Sequence, residues 1–442
     1  MPSDATGSAA AQDLQGEANA ERSAEENPHQ ELPVPSARAE TRDSAKEFNP
    51  KRRLEEAARA VPRMEQVAGT LTTAEASAIA EEAVAENPKL LGGAFNLNRP
   101  VERPDGAVLL RFPRGDRTQR EAQPLKNYDA ARQAADILRD QHGPDVSVPQ
   151  ALWAGREQEG GERAEIWELF DGEQVEKVEK PPPNAQTATE DTITAFATRD
   201  PSSLHEKYPE QPRTCGEAHA ELLRHFEDNL EPSHWEEFGQ AYEVIGARRE
   251  AVGVRSGRYE HPAPELPSRL VHNDPNPRNF LVDNQDPSKF ALVDWDLATL
   301  GDPAFDIARY AQTWKLPLDQ VTQRVEQEIR GRDARMAEHL AERVQVNYQL
   351  LHYQRLLLLG SMISDTMRAA PKDPEGWKGV RADAAAYADK MLPSVAEVLG
   401  TRVIPGEQFV DLVLQSEKTT AARRKGRRTD APFPARVAAS SG

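Results

Sequence analysis

The chain has 442 residues and a formal net charge of −18 at pH 7, with 38% hydrophobic and 29% charged residues. This length suffices for two domains or for one two-lobed domain with tails, and the acidity argues against non-specific nucleic-acid binding. The single cysteine, Cys215, excludes an intrachain disulfide and a cysteine-rich zinc site. The N-terminus lacks the positive start and apolar core of a secretory signal, and apolar runs such as Leu356 to Leu359 are too short to span a bilayer. A cytoplasmic protein without membrane contact is therefore expected.

The N-terminal 50 residues carry ten acidic and four basic residues and few large apolar side chains. Such a segment cannot bury enough surface to offset the entropy of ordering, so a disordered acidic tail is predicted for residues 1–50. Residues 51–69 predict a helix interrupted at Pro62. Thr72 and Glu75 then form a capping-box pattern, which predicts a helix that ends near Ala85.

The apolar pattern next changes to one typical of strands. Residues 90–98, which include Gly92 and Gly93, and residues 106–112, which include Arg111, predict two strands joined by the turn at 104–106. Asn127 is a suitable N-cap for a helix over 128–141.

Two more strands are predicted over residues 147–153 and 165–170, and the second contains Glu168 and Phe170. Residues 176–200 are rich in proline and polar residues, which favours an exposed linker. Residues 214–252 are rich in glutamate, which favours helices with a solvated face.

The most informative stretch is 271–306, which contains His272-x-Asp274, then Asn279, then Asp294. Two apolar runs, 280–282 and 290–293, flank a turn-like segment and predict a hairpin. The hairpin would bring Asn279 and Asp294 close together at one end of two paired strands. An amide oxygen and a carboxylate held side by side are hard ligands that suit Mg²⁺. Asp274, one loop away, would face a substrate hydroxyl.

This arrangement resembles the catalytic segment of the aminoglycoside phosphotransferase and choline kinase family, relatives of the protein kinases. The family pattern is H-x-D-x-x-x-x-N, a hairpin, and an aspartate in a DFG-like position, and residues 301–308 (GDPAFDIA) are similar to its G-D-P-x-x-D-[LI]-A segment. The resemblance implies an α+β, protein-kinase-like two-lobed fold.

In that fold a small, five-stranded, nucleotide-binding N-lobe would span residues 70–172. A mainly helical C-lobe would span 173–415, with the catalytic segment at 271–308 and a substrate region at 190–265. A disordered basic tail would follow at 416–442.

The resemblance also implies an ATP- and Mg²⁺-dependent enzyme that phosphorylates a hydroxyl group of a small molecule, namely an aminoglycoside-like sugar or an amino alcohol. Asp274 would orient the acceptor hydroxyl and take its proton, and Asn279 and Asp294 would bind Mg²⁺. His272 and Asp306 would support the catalytic loop. The acidic composition would suit a cationic acceptor.

The expected nucleotide contacts come from the N-lobe. Gly92 and Gly93 would lie over the phosphates, Arg111 would contact them, and the backbone around Glu168 and Phe170 would hold the adenine edge. Asp296 would add to the metal shell.

Two departures from the family pattern leave questions open. The predicted helix after Asn127 lacks the glutamate that should pair with Arg111, and Asp129, Asp136 and Glu121 remain as alternatives. In the catalytic loop, three positions differ from the commoner Leu, His and Gly: Pro275, Asn276 and Arg278.

The missing glutamate keeps a non-catalytic, kinase-like nucleotide-binding protein as the alternative. A more distant alternative is a non-haem iron oxygenase, in which the H-x-D pair would act with His339 or His352.

Overall fold

A computed structural model describes residues 50–85, 91–92, 96–104, 106–113, 125–139, 146–156, 163–178 and 182–429. Most of the predicted N-terminal tail (1–49), as well as Gly93 and Glu121, lies outside these ranges.

The N-terminal part contains a twisted sheet flanked by helices. Its elements in chain order are α1 (Pro50–Ala60), β1 (Glu65–Gly69), α2 (Thr73–Ala85), β2 (Leu91–Gly92), β3 (Asn96–Val101), β4 (Val108–Pro113), α3 (Asn127–Arg139), β5 (Val146–Ser147), β6 (Ala151–Arg156) and β7 (Arg163–Glu168). Six strands form an antiparallel sheet in the order β1-β6-β7-β4-β3-β2. Buried side chains of α1 and α2 pack with those of the sheet, including Leu54, Ile79 and Trp153.

The N-terminal sheet has six strands in the described residues, one more than the five predicted. Helix α1 ends before Pro62, and the chain then extends and pairs β1 with β6, which adds an edge strand before residue 70. Gly69 ends this strand with φ +95°, where a Cβ would lie 2.2 Å from the Leu152 carbonyl oxygen. Only glycine permits so close an approach.

The C-terminal part is mainly helical. Its elements are β8 (Gly172–Gln174), α4 (Ala185–Thr198), α5 (Ser202–Lys207), α6 (Cys215–His225), α7 (Glu231–Val244), α8 (Arg249–Val252), β9 (Arg269–Val271), β10 (Phe280–Asp283), β11 (Phe290–Leu292), β12 (Thr299–Gly301), α9 (Pro303–Trp314), α10 (Leu318–Arg332), α11 (Leu340–Ala369), α12 (Pro374–Leu399) and α13 (Gly406–Thr429). The predicted α+β fold with a β-rich lobe and a helical lobe is thus confirmed.

Short strands frame the catalytic segment. Strands β10 and β11 form the predicted hairpin, flanked by β8 and β5 in a four-stranded sheet, and β12 pairs with β9. Beneath the hairpin, Phe280, Phe290 and Trp295 pack with buried residues of α3 and α4. The hairpin is therefore anchored to both parts of the chain.

The described residues of the C-terminal part add helices in two segments where none was predicted. The predicted linker contains helix α4, whose small residues Ala188 and Thr189 are buried. The predicted tail from residue 416 is helical to Thr429, because α13 packs against α7 and the Thr420 hydroxyl donates to the Glu236 carbonyl at 3.0 Å. Residues 430–442 lie outside the described chain. None of the helices in the described ranges is both long and apolar enough to cross a membrane.

Candidate active site

The β10–β11 hairpin places Asn279 and Asp294 at the same end. Phe280 lies opposite Leu292, and the Val293 backbone N–H donates to the Asn279 carbonyl oxygen at 2.9 Å. Asn279, one residue before β10, therefore lies beside the end of β11, where the chain continues to Asp294.

The backbone at Asp294 has an unusual conformation. This residue has φ +66° and ψ 64°, a left-handed conformation that is uncommon for a residue with a side chain. Its side chain remains 51% exposed, and one carboxylate oxygen lies 3.3 Å from Nη2 of Arg111. Although half of the side chain is exposed, loss of hydration by the surrounding protein and, next, repulsion by Asp296 raise the pKa of Asp294, while Arg111 opposes the rise.

Asp274 is held by three side chains. Its Oδ2 accepts from the amide nitrogens of Asn276 at 2.7 Å and Asn279 at 3.1 Å, and its Oδ1 lies 3.1 Å from Nη2 of Arg309 on α9. Burial alone would raise the pKa of Asp274, but the Arg309 charge and the Asn276 hydrogen bond outweigh it and hold that pKa below its usual value. The carboxylate is therefore ionised and fixed in orientation.

Asp306 and His272 contact the backbone of the catalytic segment. The buried Asp306 carboxylate accepts from the backbone N–H groups of His272 at 2.7 Å and Asn273 at 2.8 Å. Burial raises the pKa of Asp306 to about 7, against the effect of these two hydrogen bonds. Nε2 of His272 lies 3.0 Å from the Val293 carbonyl oxygen, and its ring packs edge-on against Trp295 with centroids 4.7 Å apart.

Arg111 on β4 reaches this segment from the N-terminal sheet. Its Nη2 pairs with Oδ2 of Asp296 as well as with Asp294. None of the helix carboxylates considered from the sequence is its partner in the described structure. Asp129 pairs with Lys207 at 2.7 Å, and Asp136 pairs with Arg139 at 3.0 Å.

Asn127 and Glu165 complete the surroundings of Asp296, and the sequence predicted neither of them as part of the site. The Asn127 amide nitrogen donates to Oε2 of Glu165 at 3.0 Å and to Oδ1 of Asp296 at 3.1 Å. The Trp167 indole N–H donates to the same glutamate oxygen at 3.0 Å. Glu165 lies directly opposite Arg111 in the β4–β7 pairing. That cross-strand pairing of opposite charges is the one signal from which Glu165 could have been predicted.

The remaining predicted nucleotide contacts lie in or beside the same sheet. Gly92 pairs with Leu97 at the β2 edge. The Glu168 backbone N–H donates to the Gln150 carbonyl oxygen at 3.0 Å, while its side chain accepts from the Gln150 N–H at 2.9 Å. Phe170 follows two residues later, where the chain leaves the six-stranded sheet.

The sequence profile of the phosphotransferase enzyme family (APH) matches residues 88–346, which span both parts of this site. The chain belongs to that family. The resemblance inferred from the catalytic segment is thereby confirmed.

Similar solved structures include a choline/ethanolamine kinase family protein from Mesorhizobium loti, with 20% identity over 74% of this chain and 99% of that chain at a TM-score of 0.39. Plasmodium vivax ethanolamine kinase has 12% identity over 78% and 85% at a TM-score of 0.41. A thermostable mutant of aminoglycoside phosphotransferase APH(4)-Ia, solved with AMP-PNP and hygromycin B, has 15% identity over 75% and 94% at 0.35. No curated protein matches the chain. Similarity at this level gives no information on the substrate of this phosphotransferase.

The arrangement does not suit an iron oxygenase. Both ring nitrogens of His272 have backbone partners, since Nδ1 also lies 3.3 Å from the Asp274 N–H. His352 is buried in α11 with Nδ1 near the Tyr348 carbonyl oxygen, and His339 pairs with Glu342. Among the residues that the structure describes, no three His, Cys, Asp or Glu side chains form a metal cluster.

Proposed function

We propose that the protein is an ATP- and Mg²⁺-dependent kinase that transfers the γ-phosphate of ATP to a hydroxyl group of a small molecule. The observation that carries this proposal is the convergence of Asp274, Asn279 and Asp294 at one end of the hairpin, facing Arg111 from the other lobe. Phosphoryl transfer requires mainly positioning and charge neutralisation, and this set of groups supplies both.

Asp274 acts on the acceptor. Its carboxylate is ionised near neutral pH, and its two oxygens are fixed by Arg309, Asn276 and Asn279. An acceptor hydroxyl that donates a hydrogen bond to this carboxylate is aligned for attack, and the carboxylate receives the proton as the new bond forms. Asp306 positions Asp274 indirectly, because its carboxylate fixes the backbone N–H groups of the two residues that precede Asp274.

Asn279 and Asp294 have donor atoms that fit Mg²⁺. The Asn279 amide nitrogen faces Asp274, so its oxygen points away, and no donor in the described chain contacts that oxygen. Asp294 keeps half of its side chain exposed. One carboxylate and one amide oxygen are typical of Mg²⁺ sites, which are completed by phosphates and water. When bound, the ion neutralises phosphate charge. Asp296 is already engaged by Arg111 and Asn127, so its role is to position Arg111 and not to bind the metal directly.

Arg111 is the proposed phosphate-binding cation. Its Nη2 contacts carboxylates, while its buried Nε has no hydrogen-bond partner among the described residues. We assign Gly92 and Gly93 to the segment over the phosphates, and the backbone from Glu168 to Phe170 to the adenine edge.

The alternative is a non-catalytic nucleotide-binding protein, which the missing helix glutamate would favour. Asp296 and Glu165 supply carboxylates beside Arg111 from other elements. The missing helix glutamate therefore no longer favours the alternative.

The test replaces Asp294 with asparagine and measures ADP formation with Mg²⁺–ATP over a panel of hydroxyl acceptors. We expect the Mg²⁺-dependent activity to be abolished while the unfolding midpoint stays near the wild-type value. Asp319→Asn, which neutralises an exposed carboxylate on α10, is the matched control and retains activity. Turnover by Asp294→Asn at the wild-type rate would refute the assignment. Stabilisation of the wild type by Mg²⁺–ATP without ATP consumption would favour the non-catalytic alternative.

A further inference from the structure

Five basic side chains lie around the loop that carries Asp274, although the whole chain is acidic. Arg309 on α9 contacts Asp274 directly, with its Nη2 3.1 Å and its Nε 3.3 Å from Oδ1. The residue after α9, Lys315, has a left-handed backbone and an exposed side chain. The loop, α11 and α12 contribute three further cations: Arg278, Arg355 and Lys390. We call these five side chains the basic cluster.

Arg355 is the least compensated member of the basic cluster. It lies midway along α11 and is partly buried, and its guanidinium has no hydrogen bond or ion pair to any residue in the described chain. Burial, and next the charge of Arg309, lower the pKa of Arg355 to about 10, against the effects of Tyr387 and Tyr348. The guanidinium therefore keeps its charge at neutral pH. A partly buried cation without a counter-charge is unfavourable unless a ligand supplies one.

The other members of the basic cluster are only partly neutralised. Arg278 pairs with Glu176 at 2.7 Å. Burial, followed by the charge of Lys315, lowers the pKa of Lys390, and Arg278 and Arg355 add to that effect.

Asp274 pairs with Arg309 and Glu176 pairs with Arg278, which leaves the three positive charges of Arg355, Lys315 and Lys390 without an ion-pair partner in the described chain. Asp294 and Asp306 also act on Asp274, but Asp294 pairs with Arg111 and Asp306 accepts from two backbone N–H groups. An excess of positive charge repels a cation and attracts an anion.

One aromatic side chain lies near two arginines of the basic cluster. Tyr387 on α12 interacts with both Arg278 and Arg355, and its hydroxyl lies 3.7 Å from the Met362 sulfur. Guanidinium groups and a phenol ring therefore lie together near the loop that carries Asp274. Guanidinium groups bind carboxylate and phosphate oxygens in a forked geometry, and they form charge-assisted hydrogen bonds.

We propose that the phosphate acceptor is a hydroxyl compound that carries an anionic group, either a carboxylate or a phosphate, which binds to Arg355 and Arg278 while its hydroxyl faces Asp274. This inference rests on the proposed phosphotransferase function and specifies its substrate class. It reverses the expectation of a cationic sugar or amino alcohol, which came from the family resemblance and the overall acidity. The same charges that bind an anion reject an ammonium group.

The first test compares four classes of acceptor with the full-length protein and Mg²⁺–ATP: sugar phosphates, sugar acids, neutral sugars and polyols, and amino alcohols with aminoglycosides. ADP formation and the mass of the phosphorylated product are measured. We expect the highest kcat/KM in one of the two anionic classes, and the class that is used identifies the anionic group as phosphate or carboxylate. Highest turnover with amino alcohols, aminoglycosides or neutral polyols would overturn the inference and leave the proposed function intact. No transfer to any class would contradict the proposed function, and the inference with it.

The second test is Arg355→Met with the best anionic acceptor. Loss of one charge-assisted interaction of about 1.5–3 kcal/mol raises KM by roughly 10- to 150-fold, with a smaller change in kcat, and Arg355→Lys restores part of the loss. Arg248→Met removes an exposed arginine between α7 and α8 and serves as the matched control. If Arg355→Met does not fold, the wild type is titrated with inorganic phosphate and with choline chloride at equal ionic strength. Stabilisation by phosphate alone supports the inference, while an unchanged KM in a folded variant or stabilisation by choline alone refutes it.

Discussion

Replacement of Arg343 by methionine is expected to destabilise the protein strongly and in a pH-dependent way. Arg343 on α11 is 0% exposed, and its guanidinium contacts both carboxylate oxygens of Asp302 and the carbonyl oxygens of Met336 and Glu338. Asp302 in turn caps α9, because its Oδ1 accepts from the Ala304 N–H at 2.9 Å. Since α9 carries Asp306 and Arg309, this pair fixes the helix that holds the catalytic loop.

The size of the stability loss follows from the buried groups that remain after the substitution. Methionine fills much of the volume but leaves the Asp302 carboxylate buried, with His261 at 2.9 Å as its nearest remaining polar side chain. Breaking a buried ion pair in this way costs about 3–5 kcal/mol. For a chain of this size, that loss lowers the thermal midpoint by roughly 5–10 °C.

The pH dependence has a definite sign. Burial alone would raise the pKa of Asp302, but the charge of Arg343 outweighs it and holds that pKa well below its usual range. A carboxyl group with a depressed pKa stabilises the fold above its unfolded pKa of about 3.9, and the contribution is lost as pH falls below that value. The difference in unfolding free energy between wild type and variant is therefore largest at pH 5–8 and decreases on further acidification.

Urea unfolding of both proteins from pH 3 to pH 8 measures this difference. Arg381→Met is the control, because it breaks a surface ion pair whose acidic partner, Asp411, is 64% exposed, and such a pair contributes about 1 kcal/mol or less. A loss below about 1 kcal/mol for Arg343→Met at pH 7, or a loss that grows below pH 4, would refute the reasoning.

Three further predictions concern the site and the core. Asp306→Asn weakens two hydrogen bonds to the loop backbone and is expected to lower kcat by about 10- to 100-fold with the fold retained, as measured by steady-state kinetics and circular dichroism. Arg111→Met is expected to raise KM for ATP by about 10-fold or more, whereas Asp129→Asn on α3 leaves it unchanged; equal effects would contradict the assignment of Arg111. Gly360→Ala places a Cβ 2.5 Å from the Tyr242 hydroxyl and is expected to cost about 1–3 kcal/mol in urea unfolding.

The catalytic segment could be predicted from sequence because its geometry is local. A hairpin of two short strands fixes the separation of Asn279 and Asp294, and the spacing of Asp274 within the same loop follows from the motif. Strand β1 could not be predicted in this way. Its five residues have no apolar alternation, and they become a strand only because β6 offers a free edge.

The partners of Arg111 and the basic cluster depend on contacts between residues far apart in the chain. Asn127, Glu165 and Asp296 meet only after the sheet and α3 pack onto the hairpin. Arg355 lies on a helix that follows the catalytic segment, and no motif marks it. The sequence did identify Arg278 as unusual, but its consequence for substrate charge became visible only with α11 and α12 in place.

The central claim is that Asp274, Asn279 and Asp294 direct transfer of the ATP γ-phosphate to an acceptor hydroxyl. Its most direct test is a single-turnover experiment with γ-labelled ATP, Mg²⁺ and the best acceptor from the panel. The account predicts that label appears on the acceptor hydroxyl with the wild type. With Asp274→Asn the transfer slows by on the order of 10²–10⁴-fold, while Mg²⁺–ATP still binds. Transfer by Asp274→Asn at the wild-type rate, or label that never leaves ATP in the wild type, would contradict the account.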